Sequence, residues 1–220
     1  MVTFKQFLAE ATRVPSASTW VKAKLIELKP ILWERGLHLN DILAALNREF
    51  AKLMIRFDAK GAYRNSDNGN AGIGNAQYSP SGWITVHLLD DVDDVLNNKH
   101  RVKYEDFAHL CYALIAHELN HREQVLKHDG NMDNPKDPEN QREYLSDHRE
   151  LESYVIQACL ELQLKLDKKD ILGKLGTTAG VAYLAKHSDS LNMYLTVFHS
   201  PSHIMQKFLK KLHDVLRNSD

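Results

Sequence analysis

Apolar residues recur at helical spacing in the middle of the chain. Phe107, Leu110, Cys111, Leu114 and Ile115 form one stripe, which predicts a buried helix over residues 104–127. Two further stripes predict helices over 151–166 and 203–217, the second with Ile204, Phe208, Leu212, Val215 and Leu216 inward and Lys207, Lys210, Lys211 and Arg217 on a wet face. Nearer the start, Trp20 and the aliphatics after it predict a helix over 20–29 that Ser18 or Thr19 would cap. Pro30 interrupts that pattern, Gly36 ends the next segment, and Asn40 would cap a helix over 41–50. Leu53–Phe57 reads as a short strand. Ala76–Ser79 and Trp83–Leu88 flank Pro80-Ser81-Gly82 and read as a hairpin, its second strand alternating like a half-buried sheet edge on which an extended chain could pair. The expected fold is α+β and mostly helical, with a small sheet or hairpin and a C-terminal helical half.

Between these elements the chain is polar. Residues 60–75 are rich in Gly and Asn and predict a loop; Gly69 to Gly74 lacks the strand-then-helix setting of a phosphate-binding loop. Asp90, Asp91, Asp93 and Asp94 suit the dipole of a short helix near 91–98 better than a calcium site. Residues 129–143 carry two Pro and predict an exposed connection. The 220 residues are enough for one domain, with 43% hydrophobic and 26% charged residues. A net charge of −1 gives no electrostatic case for nucleic acid or a membrane surface, and no apolar run is long enough to span a bilayer. Cys111 and Cys159 both fall on apolar helical faces and read as core thiols, which suits a reducing compartment.

The predicted 104–127 helix contains His117-Glu118-Leu119-Asn120-His121, the pattern H-E-x-x-H. Residues four apart share a helix face, so both imidazoles can reach one Zn²⁺ per chain. Glu118 beside them can serve as general base toward a metal-activated water, whose pKa zinc lowers to about 7. Leu114 lies one turn before His117 on the same side, so the pair continues a buried face, where unpartnered imidazoles would be costly.

A hydrolytic zinc site needs a third protein ligand and an open position. The extended pattern H-E-x-x-H-x-x-G-x-x-H is not met, because Gln124 and Lys127 occupy its last two key positions and His128 is one residue off. The segment from Tyr144 to Ala158 offers Glu150 and Glu152. Asp147 and Glu150 have capping-box spacing, whereas Glu152 shares a face with Val155, Ile156 and Cys159, where a carboxylate needs a strong partner. Glu152 is therefore the expected ligand and Glu150 the alternative. With a glutamate from a later helix, the chain resembles gluzincin-type zinc metallopeptidases. The resemblance implies a zincin-like fold, hydrolysis of a protein or peptide substrate, a third ligand preceding a small residue (here Ser153), and a catalytic Tyr near the glutamate helix, for which Tyr144 is the candidate. Tyr154, His148, His187, His199 and His203 are further candidates to stabilise the oxyanion. The acid that often follows the third ligand in such families, to orient a zinc-bound His, is missing: Val155 and Ile156 stand there, leaving Asp147 or a backbone carbonyl for that role.

The N-terminus reads Met1-Val2-Thr3-Phe4-Lys5-Gln6-Phe7-Leu8-Ala9-Glu10-Ala11. It has no secretory apolar core. By itself it reads as a short amphipathic helix with Phe4, Phe7 and Leu8 on one side. It resembles the capsid-targeting peptide of internal head proteins of T-even-like bacteriophages. That resemblance implies residues 1–10 as a propeptide cut after Glu10 by a phage prohead protease, and 11–220 as a single metallopeptidase domain. It also implies contact with the capsid core, a place in the virion head interior and delivery into host cytoplasm; without it the expectation is simply cytoplasmic. A catalytically inactive head or host-interaction protein on the same scaffold is the alternative. Intact-mass analysis of virion-derived protein is expected to give a chain starting at Ala11; a retained Met1 would remove the phage reading.

Overall fold

The computed structural model describes residues 15–33, 37–59, 73–79, 81–89, 92–97, 104–127, 140–199 and 201–218. Residues 1–10 with the expected cleavage at Glu10, most of the Gly/Asn-rich loop, Asp90, Asp91 and His128 lie outside them. The chain divides into two compact units, Met1–Leu119 and Asn120–Asp220. The boundary falls inside one continuous helix.

The first unit is α+β. Helix α1 (Pro15–Glu27) starts earlier than expected, on a Pro whose missing N–H is not needed in a first turn, so Ser18 and Thr19 lie within the helix. A short α2 (Lys29–Leu32) leads to α3 (Leu39–Phe50), whose N-cap is His38 rather than Asn40. The main-chain N–H of His38 donates to Asp41 in that first turn. Three strands follow, β1 (Ile55–Ala59), β2 (Ile73–Tyr78) and β3 (Ile84–Leu88), in the order β1-β3-β2. The expected β2–β3 hairpin is present and antiparallel, closed by Gly82 at φ 88°, a conformation that favours Gly.

The strand read as a half-buried edge is the central one: β3 runs parallel to β1, Ile55 opposite Ile84, and all five of its residues are buried. Its alternation was misleading because Thr85 and His87 do not face water. Thr85 accepts from Arg56 Nε at 2.8 Å, and His87 Nδ1 bonds to the Asp58 carboxylate on β1. The outer edge of β1 is closed at Phe57, which donates to Asn47 Oδ1 at 2.8 Å and accepts from Asn47 Nδ2 at 2.9 Å. Helix α4 (Val92–Asn97) and the first turns of α5 (Tyr104–Lys127) complete the core, with Phe50, Ile55, Ile84, Phe107 and Cys111 inaccessible to solvent. Tyr104 is anchored by its hydroxyl, which donates to the Leu25 carbonyl at 2.6 Å.

The second unit is helical. After the end of α5 come α6 (Gln141–Ser146), α7 (His148–Lys165), α8 (Lys168–Lys174), α9 (Thr178–Ala185), α10 (Asp189–Phe198) and α11 (His203–Asn218). Helix α7 is the axis, with α10 and α11 packed on it. Leu151, Leu162, Tyr194, Phe208 and Leu212 form its fully buried centre. No described helix is long and apolar enough to cross a membrane.

One buried face of α7 is polar: Glu150, Ser153, Gln157 and Glu161 follow one another at helical spacing. At its far end Glu161 is the acceptor for α10. Its carboxylate takes hydrogen bonds from Ser188 Oγ (2.6 Å), Ser190 N (3.1 Å), Ser190 Oγ (3.0 Å) and Gln157 Nε2 (2.9 Å). Burial raises the Glu161 pKa above 4.5 even though all four bonds oppose it. A carboxyl with a raised pKa holds its proton longer in the fold than in the unfolded chain. Its contribution to stability is therefore greatest below pH 4.5 and falls as pH rises through the folded value. Glu161→Ala is expected to cost about 3 kcal/mol in urea unfolding, since it strands several buried donors. Glu161→Gln is expected to cost less and to flatten that fall. A loss below about 0.5 kcal/mol for the Ala variant would mean the bonds contribute little.

Candidate metal centre

Helix α5 forms as the apolar stripe requires, and its bounds, Tyr104–Lys127, coincide with the expected ones. His117 and Glu118 are buried, 5% and 9% exposed, and His121 is nearly so. One ligand atom from each of His117, His121 and Glu150 lies within 4.8 Å of the other two. His117 Nδ1 and Glu150 Oε2 are sealed from solvent.

Glu152, the expected third ligand, is not in this group. Residues two apart on a helix point roughly 200° away from each other, so Glu150 and Glu152 cannot serve the same point. Glu150 is 8% exposed and turned inward, whereas the Glu152 side chain is 39% exposed. Glu152 Oε1 accepts from Lys211 Nζ at 2.6 Å and its Oε2 from Gln124 Nε2 at 3.3 Å. Burial pushes the Glu152 pKa up, but the Lys211 and Gln124 contacts outweigh it and the net shift is downward. Its partner is an ammonium of α11.

Asp147 does cap α7, accepting from Arg149 N at 2.9 Å, and it grips the Arg149 guanidinium at 3.0 and 3.1 Å. That contact holds the Asp147 carboxyl below its ordinary range.

The donor set fits a divalent ion. Two imidazoles and one carboxylate are ligands of catalytic zinc. His121 Nε2 and Glu150 Oε2 are 3.4 Å apart. In a tetrahedral zinc site with bonds of about 2.0–2.1 Å, ligand atoms are separated by about 3.3 Å. A neutral imidazole and a carboxylate at that distance present lone pairs to each other, which a shared cation resolves. Such a donor set also serves ferrous iron in oxygenases; an acid directly after the first His is what a hydrolytic site uses.

Tyr144 on α6 and Tyr154 on α7 are partly buried against the second core, Tyr154 edge-on to Tyr194 at 5.7 Å. His148 is exposed, and His187 packs at a 60° tilt against Tyr183. His199 ends α10 with φ 51°, and His203 begins α11. The two Cys are buried thiols outside the group: burial pushes Cys159 up to about 11 and raises Cys111 as well, so neither offers a ready thiolate.

Sequence reasoning missed Asn120, Gln124 and Ser153, which surround His121. Ser153 Oγ accepts from Asn120 Nδ2 at 2.9 Å and lies 3.5 Å from His121 Nδ1; Gln124 Oε1 lies 3.3 Å from the same nitrogen. The available signal was spacing: Gln124 is three residues after His121 on one helix, and the small Ser153 lies three after Glu150 on the other.

Comparison of the chain with protein-family models, with curated proteins and with solved structures finds no match.

Metal content checks the ligand assignment. Glu150→Ala is expected to abolish stoichiometric zinc binding, while Glu152→Ala still takes up one ion at saturating zinc. Equal loss in both variants, or retention in Glu150→Ala, would contradict the grouping.

Proposed function

We propose that this chain is a zinc-dependent peptidase on a zincin-like scaffold, with His117, His121 and Glu150 as the metal ligands. The observation that carries the reading is the convergence of these three donors, with a buried glutamate directly after the first His. A bound zinc ion would supply Lewis acidity and an activated water to the reaction. Glu118 takes a proton from the attacking water as its oxygen adds to the peptide carbonyl carbon. When the C–N bond breaks, Glu118 returns that proton to the departing amine, so the cycle balances. Tyr144 is the proposed donor to the carbonyl oxygen as charge develops there. Packaging in a phage head, through removal of residues 1–10 after Glu10, is supported by the N-terminal resemblance alone.

The test separates binding from chemistry. Glu118→Gln keeps the shape and removes the base. It is expected to bind zinc as the natural chain does and to lose at least about 100-fold in hydrolysis of an unstructured protein substrate, the usual scale for a general base. Near-normal hydrolysis by the zinc-loaded variant would exclude Glu118 from that role. A natural chain that binds zinc but cleaves none of a broad set of peptides would favour the inactive head-protein alternative.

A further inference from the structure

We propose that Gln124, locked in place by Glu152 and Lys211, is the positioning residue that fixes the tautomer and orientation of His121; this rests on the metal-site reading above. A Gln carboxamide has two N–H donors on its nitrogen and only acceptor capacity on its oxygen. Gln124 Nε2 lies 3.3 Å from Glu152 Oε2 and 3.4 Å from the Arg149 carbonyl oxygen, both acceptors. The nitrogen end is thereby assigned, and Oε1 is the end 3.3 Å from His121 Nδ1. An amide oxygen cannot donate, so Nδ1 carries the hydrogen. Ser153 Oγ, at 3.5 Å, is a second acceptor for it. The other ring nitrogen, Nε2, keeps its lone pair, and Nε2 is the atom that faces Glu150 Oε2 at 3.4 Å. A ligating His needs such a partner on its far nitrogen.

Glu152 makes the arrangement one-way. Without it, only the longer 3.4 Å contact to the Arg149 carbonyl would oppose a turn of the Gln124 amide that offers N–H to His121 Nδ1. The hydrogen would then move to Nε2, the nitrogen the ion needs. Glu152 is itself held by the 2.6 Å bond from Lys211 Nζ, which joins the first turns of α7 to the middle of α11. Glu152 and Lys211 border an open cavity of about 590 Å³ together with Asn120, Val155, Ile156 and Val215. Changes at these two positions therefore leave the buried core intact, whereas Gln124, at 8% exposure, is part of the interior.

The experiment combines zinc affinity by chelator competition with ¹⁵N imidazole spectra of the ion-free protein. The natural chain should show His121 with its hydrogen on Nδ1. Gln124→Leu and Glu152→Leu should each weaken zinc about 10- to 100-fold, the scale on which such outer partners act. The melting temperature of ion-free Glu152→Leu should fall by no more than a few degrees, the scale of one half-exposed ion pair, and that variant decides the matter if Gln124→Leu does not fold. Gln124→Glu alone sets two carboxylates together and should weaken binding. Adding Glu152→Gln restores an acceptor beside His121 and a donor beyond it, and should recover most of the loss. Unchanged zinc affinity in both Leu variants, or no recovery in the exchanged pair, overturns the proposal while the metal site stands. Failure of the natural chain to take up zinc removes both.

Discussion

His121 is fixed from two sides, and the site depends on how that is done. The last turns of α5 and the first turns of α7 approach through Ser153, a small, fully buried residue that accepts from Asn120. The close approach sets Glu150 Oε2 within 3.4 Å of His121 Nε2 and leaves Gln124 against the other ring nitrogen. The polar face of α7 continues inward to Glu161, which takes three hydrogen bonds from Ser188 and Ser190 at the start of α10 and a fourth from Gln157 on α7 itself. This helix carries buried polar groups along its length, each tied to a specific partner, as burial requires.

The arrangement assigns different work to the two glutamates of α7. Glu150 is inward and among imidazoles; Glu152 is outward and neutralised by Lys211. A carboxylate already paired with an ammonium is a poor candidate for a metal ligand but a good anchor for a carboxamide. The acid that the family resemblance leads one to seek two or three residues after Glu152 is absent; in the proposed site Gln124, on the motif helix itself, would take that role from a different direction.

Much of the fold could be read from the sequence. The stripe through Phe107 and Ile115 gave α5 its full length, and Phe208 and Leu212 marked α11, because amphipathic periodicity is strong over long helices. The hairpin was legible from Pro80-Ser81-Gly82. The place of β3 was not, since alternation does not distinguish a polar residue facing water from one bonded across a strand, as Thr85 and His87 are. Of the site, His117, Glu118 and His121 were legible because their spacing lies within one helix. The choice of Glu150 over Glu152 turned on burial, and the sequence argument equated burial with apolar neighbours. Ser153, Gln157 and Glu161 share the face of Glu150 and are all buried, so polarity of the face gave the wrong sign. The pairing of Glu152 with Lys211 joins residues 59 apart in the chain, and no local pattern announces it.

The central claim is that two imidazoles and the Glu150 carboxylate hold one zinc ion. X-ray absorption at the zinc edge of the loaded protein measures this directly. The account predicts a single shell of nitrogen and oxygen at about 2.0–2.1 Å, with two imidazoles and no sulfur, and loss of one oxygen ligand in Glu150→Ala. A sulfur shell at about 2.3 Å, or folded protein that takes up no zinc when it is supplied, would contradict it.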